Sequence, residues 1–236
     1  MAGISNGKFV VKLIPYGFDM VTLGGYNTDS KTIAAGKKIL DRGRNEFDIA
    51  KEDLIDVIEE ETNLIKSRYN VKVSANLRAI SPDPIIKISK IKLLDLVEIN
   101  CHCRQKEILD IGCGQSMMKD TDFLIDFIKE IVKKSKSQVS VKIRANVEGT
   151  DTLKIAKIID NLSVDYLHVD GMKPGFSYAD LEIISKIAKE TNTFLIGNNS
   201  IRSIEDARAM INSGADGISI ARAAINGKIN FDLKQI

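Results

Sequence analysis

The chain has 236 residues, 34 basic and 32 acidic, with a formal net charge of +2, so composition gives no electrostatic case for nucleic acid as the main partner. Apolar residues make up 44%, enough for a sizeable core, yet no apolar run approaches the roughly 18 residues that span a bilayer. Three cysteines crowded between 101 and 113, with no signal-peptide pattern, read as reduced thiols in a cytoplasmic protein rather than a secreted disulfide framework.

The first seven residues, Met-Ala-Gly-Ile-Ser-Asn-Gly, have loop chemistry, and Phe9, Val10, Leu13 and Ile14 are spaced as one helix face. From there short apolar runs alternate with amphipathic stretches. Strands are predicted at 19–24, 71–77, 94–100, 139–144, 164–170, 193–197 and 217–220. Helices are predicted at 30–44, 51–69, 84–93, 122–135, 151–161, 177–191 and 203–213. Thr121 before Asp122, and Ser203 with Asp206 three residues on, read as helix starts; Ser213-Gly214 reads as a stop. Seven strand–helix units without a composition break predict one parallel α/β domain over 1–236. A (β/α)8 barrel takes about 250 residues and fits, with its first strand truncated or missing.

Strand parity points to a barrel lumen. Side chains alternate with period two, and one parity is polar near the strand ends: Ser74 and Asn76, Glu98 and Asn100, Lys142 and Arg144, His168 and Asp170. Burying such groups unpaired costs several kcal/mol each, so a polar ligand or a mutual network is expected there. Lys142 reads either as a lysine salt-bridged to Glu98 or as a functional group.

The densest chemistry lies just past the third strand, in E-I-N-C-H-C-R and G-C-G-Q-S-M-M-K-D. Cys113 reads as packing; Cys103 reads either as packing or as a reactive acid or nucleophile. Near the C-terminus, I-G-N-N-S-I-R-S and G-A-D-G-I-S-I-A-R-A-A each end a strand in small or amide residues before a helix. That pattern suits phosphate binding by backbone N–H groups, with Arg222 adding charge.

Together these segments resemble the flavin-dependent tRNA-dihydrouridine synthases, in the same order over almost the whole chain. M-A-G-I-S-N-G is similar to that family's A-P-M-A-G-x-T-D, and E-I-N-C-H-C-R to its N-x-G-C-P. G-C-G-Q-S-M-M-K-D resembles G-x-G-x-x-L-L-x-D, V-S-V-K-I-R its V-K-I-R, V-D-G-M its V-H-G-R, and I-G-N-N-S-I its I-A-N-G-D-I. The stretch 14–47 resembles an archaeal, methanogen-type branch.

The resemblance implies an FMN-binding barrel. Met1, Ala2, Asn76 and Lys142 would meet the flavin ring, and Gly197, Asn198, Asn199, Ala221 and Arg222 its phosphate. Cys103 would protonate a pyrimidine-like substrate held by Asn100 and Asp170, with NAD(P)H a possible electron donor. The chain departs from the family pattern at His102-Cys103-Arg104, Asp170 and Met172. It has no counterpart of the family's C-terminal tRNA-binding helical domain, which leaves the tRNA role open. A dihydroorotate dehydrogenase-like flavoenzyme and a non-catalytic flavin or phosphate-ligand binder are the alternatives.

Overall fold

In the computed structural model, which describes all 236 residues, seven parallel strands form one curled sheet in the order β1 to β7. They are β1 (Met20–Asn27), β2 (Lys72–Arg78), β3 (Leu96–Cys101), β4 (Gln138–Arg144), β5 (Tyr166–Asp170), β6 (Phe194–Asn198) and β7 (Gly217–Ser219). The helices are α1 (Gly7–Val10), α2 (Ser30–Asp41), α3 (Leu54–Lys66), α4 (Asp83–Ile88), α5 (Lys106–Leu109), α6 (Thr121–Lys134), α7 (Thr152–Asp160), α8 (Leu181–Glu190) and α9 (Ile204–Asn212).

Local chemistry sets these boundaries. Asp29, Asp120, Asp151, Asp180 and Ser203 each accept the N3 backbone N–H of a following helix, worth about 1 kcal/mol apiece. The cap of α6 is therefore Asp120, one residue before the predicted Thr121. Ser203 and Asp206 form the expected capping box, and Gly214 closes α9 at φ +105. The predicted helix at 177–191 is shorter: α8 starts only at Leu181, because Asp180 caps it and residues 171–180 form a loop.

A carboxylate clamp recurs where strands begin. Asp95, Asp165 and Asp216 precede β3, β5 and β7 and accept the backbone N–H of Val73, Val139 and Leu195 on the neighbouring strand, at 2.7, 2.8 and 2.8 Å. Each fixes strand register at the end opposite the polar residues. Between sheet and helices lies an apolar layer of 43 buried residues that includes Leu23, Ile58, Leu77, Ile99, Phe127 and Leu167. This is the apolar parity of the strands, facing the helices.

The sheet does not close, as the missing first strand predicts. β1 and β7 are the two edges. Residues 1–5 turn against the end of β1, held by an isolated antiparallel bridge between Ser5 and Gly24. Across the seam, Leu13 packs with Ala224 and Ile229, joined by Phe9 and Phe231. Side-chain packing rather than a hydrogen-bonded ladder bridges the gap.

Candidate functional site

The polar parity faces inward and forms two paired layers. In the inner one, buried Glu98 accepts from Asn76 Nδ2 at 2.7 Å and from Ser140 Oγ at 3.2 Å, and meets His168 Nδ1 at 2.6 Å. His168 Nε2 reaches Ser219 Oγ at 2.8 Å, so one chain of contacts links β2, β3, β4, β5 and β7. Burial penalises both charges. It holds the His168 pKa low, whereas His168 and Lys142 beside Glu98 outweigh its burial and hold that carboxyl well below its ordinary range.

Asn100 ties this layer to the catalytic loop candidate. Its Nδ2 donates to Asn76 Oδ1 at 2.7 Å, while its Oδ1 accepts the backbone N–H groups of His102 and Cys103 at 3.1 and 2.8 Å. Both side-chain polar atoms of Asn100 have protein partners, Nδ2 through one of its two N–H groups, and these contacts shape the loop.

The outer layer centres on Asp170. Its carboxylate meets His102 Nε2 at 2.5 Å, Arg144 at 3.0 Å and Asn199 Nδ2 at 2.5 Å. Opposed by burial but favoured by these partners, the carboxyl stays well below its usual range. Burial, reinforced by Lys142 and Arg144, draws His102 down to about 4 in spite of Asp170. At neutral pH the pair is thus a neutral imidazole donating to a carboxylate, with no hydrogen bond at Nδ1.

Lys142 is the exception. It sits in register between Asn100 and His168, yet it forms no ion pair and no hydrogen bond. The sequence alternative of a Lys142–Glu98 salt bridge is not realised, because Glu98 pairs with His168 instead. Met1 lies at the same mouth, its amino group donating to Ser5 Oγ at 2.8 Å and Gly24 O at 3.0 Å, within electrostatic reach of Lys142. Ala2 follows in the same turn, half-buried.

The phosphate-site residues divide. Asn199 and Ser200 hold φ of 112° and 56°, a strained pair of left-handed residues of the kind that clusters at functional sites. The backbone N–H groups of Asn199, Ser200, Ile201 and, just past β7, Ala221 make no hydrogen bond within the protein, and Arg222 is exposed beside them. Free N–H groups in that arrangement suit an anion. Gly197 and Asn198 do other jobs. A Cβ on Gly197 would meet Met210 Sδ at 2.4 Å, so the glycine lets α9 pack on β6. Asn198 Nδ2 donates to Ser219 O at 2.7 Å, joining β6 to β7.

A cleft of about 640 Å³ opens over the ends of β3 to β7 and includes Arg144, Asn199 and Arg222 in its wall. Arg104 also lines it, but Cys103 does not. The Cys103 side chain is partly buried against Ala35, Ile39, Ile108 and Cys113. Cys113, as expected, is packing: burial pushes its thiol up to about 12 and Sγ contacts Ala79 O. Sequence reading missed the His102–Asp170 pair. The signal was there: an Asn whose side chain closes a turn over the next residues aims the histidine back across the mouth.

A family model described as dihydrouridine synthase matches residues 55–231. An uncharacterized protein of Methanocaldococcus jannaschii is 38% identical, over 98% of this chain and 89% of its own. A probable tRNA-dihydrouridine synthase of Helicobacter pylori is 26% identical over 70% of this chain, which spans 52% of that protein's length. Among solved structures, the Clostridium perfringens N-acetylmannosamine-6-phosphate 2-epimerase has TM-score 0.56 at 11% identity, covering 97% of this chain and 80% of its own. FabK from Thermotoga maritima has 0.54 at 14%, covering 91% and 61%. At those identities the likeness is one of fold. With its open seven-stranded variant of the TIM barrel, the chain belongs to the dihydrouridine synthase family.

Proposed function

We propose that the protein is an FMN-dependent oxidoreductase that reduces a C=C bond of a pyrimidine-like substrate. The observation that carries this reading is Lys142. Every other charged group of the lumen layers is paired, and this ammonium alone has no protein partner. An ammonium beside a flavin ring stabilises the negative charge that reduction places there. The free N–H groups of Asn199, Ser200, Ile201 and Ala221, with Arg222, fit the cofactor's phosphate. Met1, Ala2 and Asn76 would line the ring side.

Bound FMN would supply the electron pair as hydride, with NAD(P)H as donor. Cys103 would give the proton to the neighbouring carbon. Asn100 fixes the backbone of that cysteine, and Asp170 with His102 and Arg144 sets a net-neutral, hydrogen-bonding wall beside it. The Cys103 side chain must turn from its α2–α5 contacts toward the mouth to act. That placement favours, as a second reading, a flavin-binding protein without Cys103 chemistry.

Purified protein should absorb near 450 nm (roughly, a property of the oxidised cofactor), and Lys142→Ala should lose that band. Cys103→Ala should keep the flavin but lose reoxidation of the reduced flavin by a pyrimidine acceptor. Protein that neither retains nor takes up FMN would refute the proposal. Unchanged reoxidation in Cys103→Ala would select the second reading.

A further inference from the structure

The charges around the mouth are not spread evenly. Six basic residues line the cleft, Arg104, Lys119, Arg144, Lys173, Arg202 and Arg222, against a single carboxylate, Glu148. Only Arg144 among them has an ion-pair partner. Arg104 and Arg222 both lie close enough to Arg144 to repel it electrostatically. Unpaired like charges converging on one concavity oppose each other until an anion enters.

One phosphate in the corner of Asn199, Ala221 and Arg222 uses the β6–β7 side of this wall. Arg104, Lys119 and Lys173, from the loops after β3 and β5, are left over on the other side. The loop after β5 adds aromatic surface. Phe176, which lines the cleft, and Tyr178 are 55% and 52% exposed, with ring centroids 4.9 Å apart. Lys173 Nζ sits 5.2 and 5.6 Å from the two rings. Exposed aromatic faces beside cations suit a planar base next to a phosphate.

The rest of the surface limits how long that ligand is. With six of the 34 basic and one of the 32 acidic residues in this wall, the remainder of the chain carries 28 basic and 31 acidic residues. The basic excess is thus concentrated at the cleft, and the remainder of the chain has no net positive charge to hold a polynucleotide. A cleft of about 640 Å³ is in the range that takes small molecules.

We infer that the Arg104–Lys119–Lys173 side of the cleft, with Phe176, is a binding site for a free nucleoside monophosphate, making the substrate a mononucleotide rather than a residue within RNA. This rests on the reading that the Asn199–Arg222 corner takes the flavin phosphate.

Isothermal titration of the FMN-loaded protein at physiological salt tests it, with uridine 5′-phosphate, uridine, inorganic phosphate and a six-residue oligouridylate as probes. Uridine 5′-phosphate should bind about tenfold or more tighter than uridine or phosphate alone, consistent with a charge-assisted contact. The double variant Lys119→Ala/Lys173→Ala should weaken uridine 5′-phosphate about tenfold while leaving uridine and the flavin absorbance unchanged. Phe176→Ala should weaken the nucleotide and the nucleoside alike. Equal binding of nucleotide and nucleoside, or an unaffected double variant, would overturn the inference. So would an oligouridylate that binds more than about tenfold tighter than the mononucleotide, which would make RNA the partner. Nucleotide binding that persists in protein unable to take up FMN would remove the flavin reading alone; normal FMN uptake without phosphate-dependent nucleotide binding would remove this inference alone.

Discussion

Asn100 is the joint between the inner layer and the Cys103 loop, and its removal has a calculable cost. Replacing it with Ala deletes three hydrogen bonds, of 2.7, 2.8 and 3.1 Å, at a position that is 7% exposed. At about 1 kcal/mol net per bond, the loss is about 3 kcal/mol. The orphaned Asn76 Oδ1 and two backbone N–H groups set that value as a floor wherever water does not reach them. For a domain of this size, 3 kcal/mol corresponds to a fall in Tm of about 6–12 °C. Urea denaturation monitored by far-UV circular dichroism measures the stability. Alkylation by iodoacetamide measures the loop, since Cys103 is the half-exposed cysteine and Cys101 and Cys113 are buried. Asn100→Ala should speed alkylation of Cys103 severalfold. Asn100→Asp should keep the two N–H acceptor contacts, set an anion against Asn76 Oδ1, and lose stability with a smaller gain in alkylation. A loss within about 0.5 kcal/mol for Asn100→Ala, with Cys103 reactivity unchanged, would show that the turn holds itself and that the assigned role is wrong.

The chain has only two histidines, His102 and His168, and burial holds both below their ordinary pKa. The unfolded chain takes up protons near pH 6.5 that the folded state refuses, so their contribution is complete above about pH 6.5 and is lost as pH falls below it, for His102 toward about 4. Tm should therefore drop between pH 7 and 4.5, and His102→Gln should flatten the drop; a level Tm profile would contradict the burial of both rings. Asp29 caps α2 and accepts Ile80 N at 2.8 Å, so Asp29→Ala should cost about 2 kcal/mol in urea denaturation. Gly197→Ala should destabilise by about 1–3 kcal/mol through its clash with Met210, and Met210→Ala should restore part of that in the double variant. If the double variant behaves additively, Gly197 does something other than admit α9.

Much of the fold is legible in the residues, because period-two alternation and caps are local signals. All seven strands, the open seam and the inward polar parity follow from that alternation. What the alternation does not carry is partner choice. Parity places Glu98 near both Lys142 and His168, and only geometry across β3, β4 and β5 decides that the imidazole takes the carboxylate. The same limit applies to small residues. Gly197 and Asn198 sit in a phosphate-like string, but helix packing and a β6–β7 tie use them. Short elements such as α5 are invisible to periodicity, since four residues hold barely one helical turn.

The two layers also explain why the lysine stands apart. Glu98 and His168 pair at the base of the mouth; Asp170 and Arg144 cancel above it, since burial draws His102 down to about 4. Lys142 lies between these layers and feels Glu98 without touching it, so its charge is balanced at a distance while its donors remain free. A direct Lys142–Glu98 pair would neutralise the same charge but consume those donors and leave His168 without its carboxylate. The structure instead pairs histidines with the carboxylates and leaves the Lys142 ammonium without a hydrogen-bond partner. Lys142→Met should accordingly leave stability within about 1 kcal/mol of the parent, because no hydrogen bond is lost, while abolishing flavin binding. A large loss of stability in that variant would mean that the lysine is structural and that the mouth holds no vacancy for a ligand's charge.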